Sequence, residues 1–201
     1  MLELADVRLA GDPGPFYADV LSLPAGDGVL VGTSRLSFTG EGAAFYHFAF
    51  LVPGDRFDAA ETWAGARVEL LATIDFPAWD ARACYFHDPA GNIVELIAHR
   101  ETGASGHTGP FAAGELLGIS ELGLPGADAA ELAAFGLPVW DAFGPLSFCG
   151  RKAHTLIVTP VGRGWLPTDR AAEIHDAVVA VRGLEGELRP TGTPYRIVSA
   201  A

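Results

Sequence analysis

Lysine is almost missing from this chain: of 13 basic residues only Lys152 is not arginine, and 25 acidic residues leave a formal net charge of −12. A surface of that sign repels phosphate backbones and anionic headgroups, which argues against nucleic acid and membrane surfaces as partners. Cysteine is equally scarce. Cys84 and Cys149 stand far apart and outside any CxxC spacing, so neither a disulfide framework nor a thiolate zinc site is indicated; two reduced, packed thiols are expected. No apolar run approaches the about 18 residues of a membrane span. The opening MLELADVRLAGDP carries Glu3 and Asp6 before any basic residue, unlike a secretory leader, and a cytoplasmic location is expected. Also lacking are HxxxH and HExxH spacings, a GxSxG elbow, a P-loop and a dinucleotide fingerprint, which removes the commonest sequence-local signatures of catalysis.

What the chain has is apolar content, at 49% hydrophobic residues, cut often by 25 glycines and 14 prolines. That combination predicts a packed core built from many short strands. Glu3 to Leu9 reads as a strand, then a helix carries Phe16, Tyr17 and Leu21 to a stop at Leu23-Pro24, and strands follow at 29–32 and 35–39. The order recurs from Phe45: an aromatic strand to Val52, a helix over 57–64, a strand over 68–74, and a hairpin whose arms, 81–86 and 93–99, flank His87-Asp88-Pro89-Ala90-Gly91-Asn92. A third copy starts near Glu115, with a helix over 128–135 and strands at 142–149 and 155–161. In the tail, Thr168 is expected to cap a short turn or helix through Ala171, Ala172 and Ile174, before strands at 177–181 and 194–198. The expected organisation is a pair of β-α-β-β-β units over 1–44 and 45–100, a small and polar linker over 101–114, and a second, degenerate pair over 115–201.

Two polar residues interrupt otherwise apolar strands. His47 shares a strand face with Phe45, Ala49 and Leu51, and Glu95 shares one with Ile93, Ile97 and His99. A carboxylate among isoleucines needs a partner, and a metal ion also bound by imidazole would supply one. The Asp88 to Asn92 run, taken alone, is a good turn in which each residue has a local backbone reason to be present.

The run YHFAFLVP, a helix with Ala59-Ala60-Glu61-Thr62-Trp63, and CYFHDPAGNIVELIAHR together resemble the vicinal oxygen chelate superfamily, which includes glyoxalase I, bleomycin-resistance proteins and extradiol dioxygenases. The match is strongest over 45–100. The resemblance implies an α+β fold in which paired βαβββ modules form cupped, incompletely closed barrels, with ligand or metal inside the cup. It puts His47 and Glu95 at ligand positions on the first and last strands of one module. The preceding module would supply Glu3, or less well Asp6, as a third ligand, and its last strand, 35–39, offers none. Glu121 stands where a ligand would sit in the third copy, but 155–160 offers only apolar residues and threonine, so the C-terminal pair is expected to be structural or to form a lid.

The function implied is that of a metal-dependent enzyme. A divalent ion (Zn, Ni, Mn or Fe) on His47, Glu95 and Glu3 would chelate two adjacent oxygens of a small substrate, with Glu95 as the catalytic proton carrier. Glyoxalase-like lyase or isomerase chemistry ranks ahead of ring-cleaving dioxygenation, which needs a second histidine. The alternative is a metal-free protein that sequesters a small molecule between aromatic walls, as bleomycin-resistance relatives do. Association as a homodimer is a third expectation from modules of this kind.

Overall fold

The computed structural model describes residues 1–200 and contains four strand-rich modules. The first comprises β1 (Glu3–Leu9), a single-turn α1 (Phe16–Asp19), β2 (Ala25–Gly26), β3 (Gly28–Val31) and β4 (Ser34–Phe38). β2, which the sequence pattern does not mark, is only two residues long. Gly28 turns β2 into β3 at φ 93°, where a Cβ would lie 2.4 Å from the Leu36 carbonyl oxygen, so only glycine serves. The second module is β5 (His47–Val52), α2 (Phe57–Gly65), β6 (Leu70–Phe76), β7 (Ala81–His87) and β8 (Ile93–His99). The third is β9 (Gly118–Pro125), α3 (Ala129–Ala134), β10 (Val139–Phe143), β11 (Leu146–Arg151) and β12 (His154–Thr159). A small hairpin of β13 (Gly164–Trp165) and β14 (Arg170–Ala171) precedes a helix-free fourth module of β15 (Ala177–Arg182), β16 (Glu187–Leu188) and β17 (Arg196–Ser199). Of the short turn or helix expected from Thr168, the structure has the turn, with the Thr168 hydroxyl accepting the Arg170 amide at 3.3 Å, and then β14 in place of a helix, because Arg170 and Ala171 are drawn into backbone pairing with Trp165 and Gly164.

In each module the first strand runs parallel to the last: β1 with β4, β5 with β8, β9 with β12, β15 with β17. The modules do not pair in sequence order, and here the expected 1–44 with 45–100 arrangement is corrected. β5 pairs antiparallel with β9, joining the second module to the third, while β1 pairs antiparallel with β15, joining the first to the fourth. A lone Leu4–Ile119 bridge links the two halves into one continuous sheet of 15 strands, which stays open rather than closing as a barrel. The physical reason lies in burial. Every residue of β5 and β9 is buried, so neither strand can leave an edge or a face to water, and each covers the other.

Two apolar clusters separate the layers. The larger packs beneath the helices and includes Phe48, Phe50, Trp63 and Leu122. The smaller lines the concave face of the second and third modules and includes Ala49, Tyr85, Ile97, Phe148, Ile157 and Trp165. The segment 101–114 is mostly exposed and is anchored near its end. Phe111 is buried against Trp63, and Arg56 makes a buried ion pair with Glu115 at 2.8 Å while donating to the Gly109 carbonyl at 2.9 Å. No helix among the described residues is long and apolar enough to cross a membrane.

Candidate metal centre

The site is assembled by strand register. The Asp88–Asn92 turn fixes it: Asp88 accepts the Asn92 amide at 2.9 Å and the Tyr17 hydroxyl at 2.6 Å, and the Asn92 side-chain oxygen accepts the Tyr46 amide at 2.8 Å. The Ile93 amide then donates to the Tyr46 carbonyl at 2.8 Å. These bonds lock the start of β5 against the start of β8, so a run that is only a good turn by sequence sets which residues of two strands stand side by side. The resulting register places His47 opposite Ile93 and Ala49 opposite Glu95. On the other side of β5, Ala49 stands opposite Glu121 of β9.

His47, Glu95 and Glu121 therefore converge on the concave face, all buried, with one ligand atom from each lying within 4.8 Å of the other two. The His47 Nε2 is 3.3 Å from Glu95 Oε2. Tyr85, opposite Glu95 in the β7–β8 register, hydrogen-bonds to that carboxyl. Trp165 of β13 stacks on the His47 ring at 4.9 Å between centroids. It can do so because residue 123 is glycine: a Cβ there would lie 2.7 Å from the indole Cζ2.

The third and second modules are related by register. Ala49, two residues beyond His47, faces Glu95; Gly123, two residues beyond Glu121, faces Ile157 of β12. The site thus has three donors, with an aliphatic side chain in the fourth symmetric position. Glu3, the third ligand expected from the preceding module, is not brought to this cluster. It lies at the β1 surface, bonded to Thr33 and paired with Arg182 at 3.1 Å, because β1 is joined to β15 rather than to β5. Asp6 is likewise taken up by Arg35. Glu121 replaces them. Its signal was visible as a lone acid among apolar residues of a strand, and only the module pairing was missing.

Electrostatics test whether these residues suit a cation. Burial pushes the Glu95 carboxyl up to about 8, against the Tyr85 hydrogen bond, and pushes Glu121 up to about 8, with the nearby Glu95 charge adding to it. Burial also lowers His47 to about 4, so the imidazole is neutral and able to donate a lone pair. Among the described residues no arginine or lysine pairs with Glu95 or Glu121. Two buried carboxyls and a neutral imidazole, short of counter-charge, are a donor set that fits a divalent ion, and imidazole with carboxylate suits Zn, Ni, Mn or Fe.

The cluster forms the floor of a cavity of about 480 Å³. Its walls are apolar and aromatic, with Phe76, Trp79, Tyr85, Phe148 and Trp165, and Arg163 contributes a cation. Trp79 packs edge-on against Phe148 at 4.6 Å and donates its indole N–H to Asp141, which ties β10 of the third module to the second and closes one wall.

No protein-family model matches the sequence, and no curated protein matches it. Solved structures do. The chain resembles glyoxalase I from Zea mays with a TM-score of 0.57 and 12% sequence identity, over 99% of this chain and 92% of that one. It resembles a candidate dioxygenase from Bacillus subtilis subsp. subtilis str. 168 with a TM-score of 0.57 and 15% identity, over 91% of this chain and 70% of that one. The fold is that of these two structures, as the motifs of the sequence led one to expect.

Proposed function

We propose that this protein is a metal-dependent enzyme of glyoxalase or dioxygenase type, acting on a small substrate that presents two adjacent oxygens at the His47, Glu95 and Glu121 centre. The observation that carries the reading is the convergence of three buried donors at the floor of a cavity large enough for a small molecule. A divalent ion bound there supplies Lewis acidity to the substrate oxygens. The protein's own groups do the rest. Glu95, hydrogen-bonded to Tyr85, is the carboxylate placed beside the substrate oxygens to take up and return a proton. Tyr85 holds its orientation. Trp165 and the aromatic walls keep water from the reacting face and position an apolar substrate body.

A single imidazole in the donor set ranks lyase or isomerase chemistry ahead of ring cleavage. The metal-free alternative is favoured by the aromatic walls, which would hold a flat ligand without any ion. Metal analysis of untagged protein separates the two readings. About one equivalent in the wild type, with near-complete loss in His47→Ala, Glu95→Ala and Glu121→Ala, supports the enzyme. Equal, near-zero metal in all four proteins leaves the sequestering reading.

A further inference from the structure

The cavity contains a cation with no assigned work. Arg163 follows β12 and is held through its backbone, which donates to the Pro160 carbonyl at 3.3 Å and accepts from the Ala172 amide at 2.8 Å. Arg35, Arg56, Arg82 and Arg182 are paired with Asp6, Glu115, Asp58 and Glu3, and Arg67, Arg151 and Arg170 donate to backbone carbonyls, whereas Arg163 is the arginine that lines the cavity. Arg163 has no such partner among the described residues. Its guanidinium stands 5.9 Å from the centre of the Trp165 ring, the same ring that stacks on His47. The two acidic residues that line the cavity besides Glu95 and Glu121 are already engaged, Asp75 with Arg82 at 3.0 Å and Asp141 with the Trp79 indole.

Resting on the metal-centre reading above, we propose that Arg163 is a specificity-determining residue that binds a carboxylate of the substrate, one separate from the two oxygens presented to the metal centre. The substrate class is then an apolar, flat-bodied molecule with adjacent oxygens at one end and a carboxylate at the other. Each part has its own wall. His47, Glu95 and Glu121 form the floor, Trp165 and Trp79 flank the body, and the planar guanidinium offers a paired set of donors that matches carboxylate geometry. A centre of one divalent ion and two ionised carboxylates is neutral, so Arg163 supplies the positive charge that favours an anionic ligand over a neutral one. Confinement beside aromatic walls strengthens that preference relative to open water.

The test uses zinc-loaded full-length protein and the probe 3,4-dihydroxybenzoate, compared with its methyl ester by tryptophan fluorescence and calorimetry. The acid is expected to bind at least about tenfold tighter than the ester. In Arg163→Gln the acid should fall to the ester's affinity, while ester binding and zinc stoichiometry stay as in the wild type; Arg163→Lys should restore part of the preference. Equal binding of acid and ester, or a preference that survives in Arg163→Gln, overturns the proposal. If zinc binds and neither probe does, the substrate class is wrong and the metal centre stands. If zinc does not bind, both fall.

Discussion

Glu95 and Glu121 face one another across Ala49, the first opposite it in the parallel β5–β8 register and the second opposite it in the antiparallel β5–β9 register. Alternate strands are separated by roughly 9–10 Å of backbone, so two carboxylates two strands apart meet only by leaning over the residue between them. A methyl group permits this. Ala49→Leu is therefore expected to abolish metal uptake while the protein still folds, at a cost of about 1–3 kcal/mol for overpacking. Zinc titration beside thermal unfolding checks it. Unchanged zinc affinity in a folded variant would mean that the carboxylates do not converge over this position.

The centre also dictates a pH dependence. Glu95 and Glu121 both sit near 8 in the folded chain, above the ordinary carboxylate value of about 4.5, so folding favours their protonated forms. Their contribution to stability is fully present below about 4.5 and is lost as pH rises toward and through about 8. His47, lowered to about 4, works the other way and destabilises the fold as pH falls below 6.5. Metal-free protein should thus lose stability between pH 6.5 and 8.5, and saturating zinc should remove that loss by holding both carboxylates ionised. Zinc binding at pH 6.5 should release up to two protons, measurable by calorimetry in buffers of different ionisation enthalpy. A metal-free stability that rises through this range would contradict the buried, neutral carboxyls.

How far the sequence leads is seen best in the three donors. His47 and Glu95 were legible because each is a polar residue at a fixed alternation within an apolar strand, and period-two patterning survives any tertiary context. The first strand of each module was legible from its apolar, β-branched pattern, the β7–β8 hairpin from its arms and turn residues, and the α2 helix from apolar residues at helical spacing. Glu121 was visible as a candidate but assigned to the wrong partner. Which module joins which is decided by the β5–β9 and β1–β15 pairings, between residues 67 or more positions apart, and nothing local in Glu3 distinguishes a strand that meets β5 from one that meets β15. The β13–β14 hairpin escaped because two-residue strands carry no periodicity. Trp165 was consequently unplaced, although its stacking on His47 is one of the closest aromatic contacts of the site.

That stacking depends on Gly123. An alanine methyl there would lie 2.7 Å and 2.8 Å from the Trp165 ring atoms Cζ2 and Cη2, so the indole must shift off His47. Gly123→Ala should red-shift the tryptophan emission and weaken binding of an aromatic ligand several-fold, leaving zinc stoichiometry at one. Unaltered emission and ligand affinity would show that Trp165 gives way without leaving the imidazole.

Glu3 provides the matched control for the module pairing. It is partly exposed and bonded to Thr33 and Arg182, so Glu3→Ala should change stability by no more than about 1 kcal/mol and leave metal binding intact. Glu121→Ala, one buried donor fewer, should lower zinc affinity by at least about a hundredfold. Competition with a chromophoric chelator reads both, and loss of zinc in Glu3→Ala would restore the sequential pairing of modules.

Ile157 occupies the position that register symmetry assigns to a fourth donor, facing Gly123 as Glu95 faces Ala49. It is 3% exposed and lines the cavity floor, so a carboxylate placed there has no solvent to enter. Two opposing effects follow in Ile157→Glu. Without metal, a third buried acid joins two that are already held protonated, and an uncompensated charge at such a place costs about 3–5 kcal/mol. With metal, the new oxygen is an added ligand, and zinc affinity should rise by about tenfold or more while the side available to substrate oxygens closes. The variant should therefore be far less stable than wild type when stripped of metal, regain most of the difference in zinc, and bind 3,4-dihydroxybenzoate much more weakly. Thermal unfolding with and without zinc, on both proteins, measures the coupling directly. A zinc-induced stabilisation no larger in Ile157→Glu than in wild type would show that position 157 does not face the ion, and the pseudo-symmetric account of the three-donor centre would fail with it.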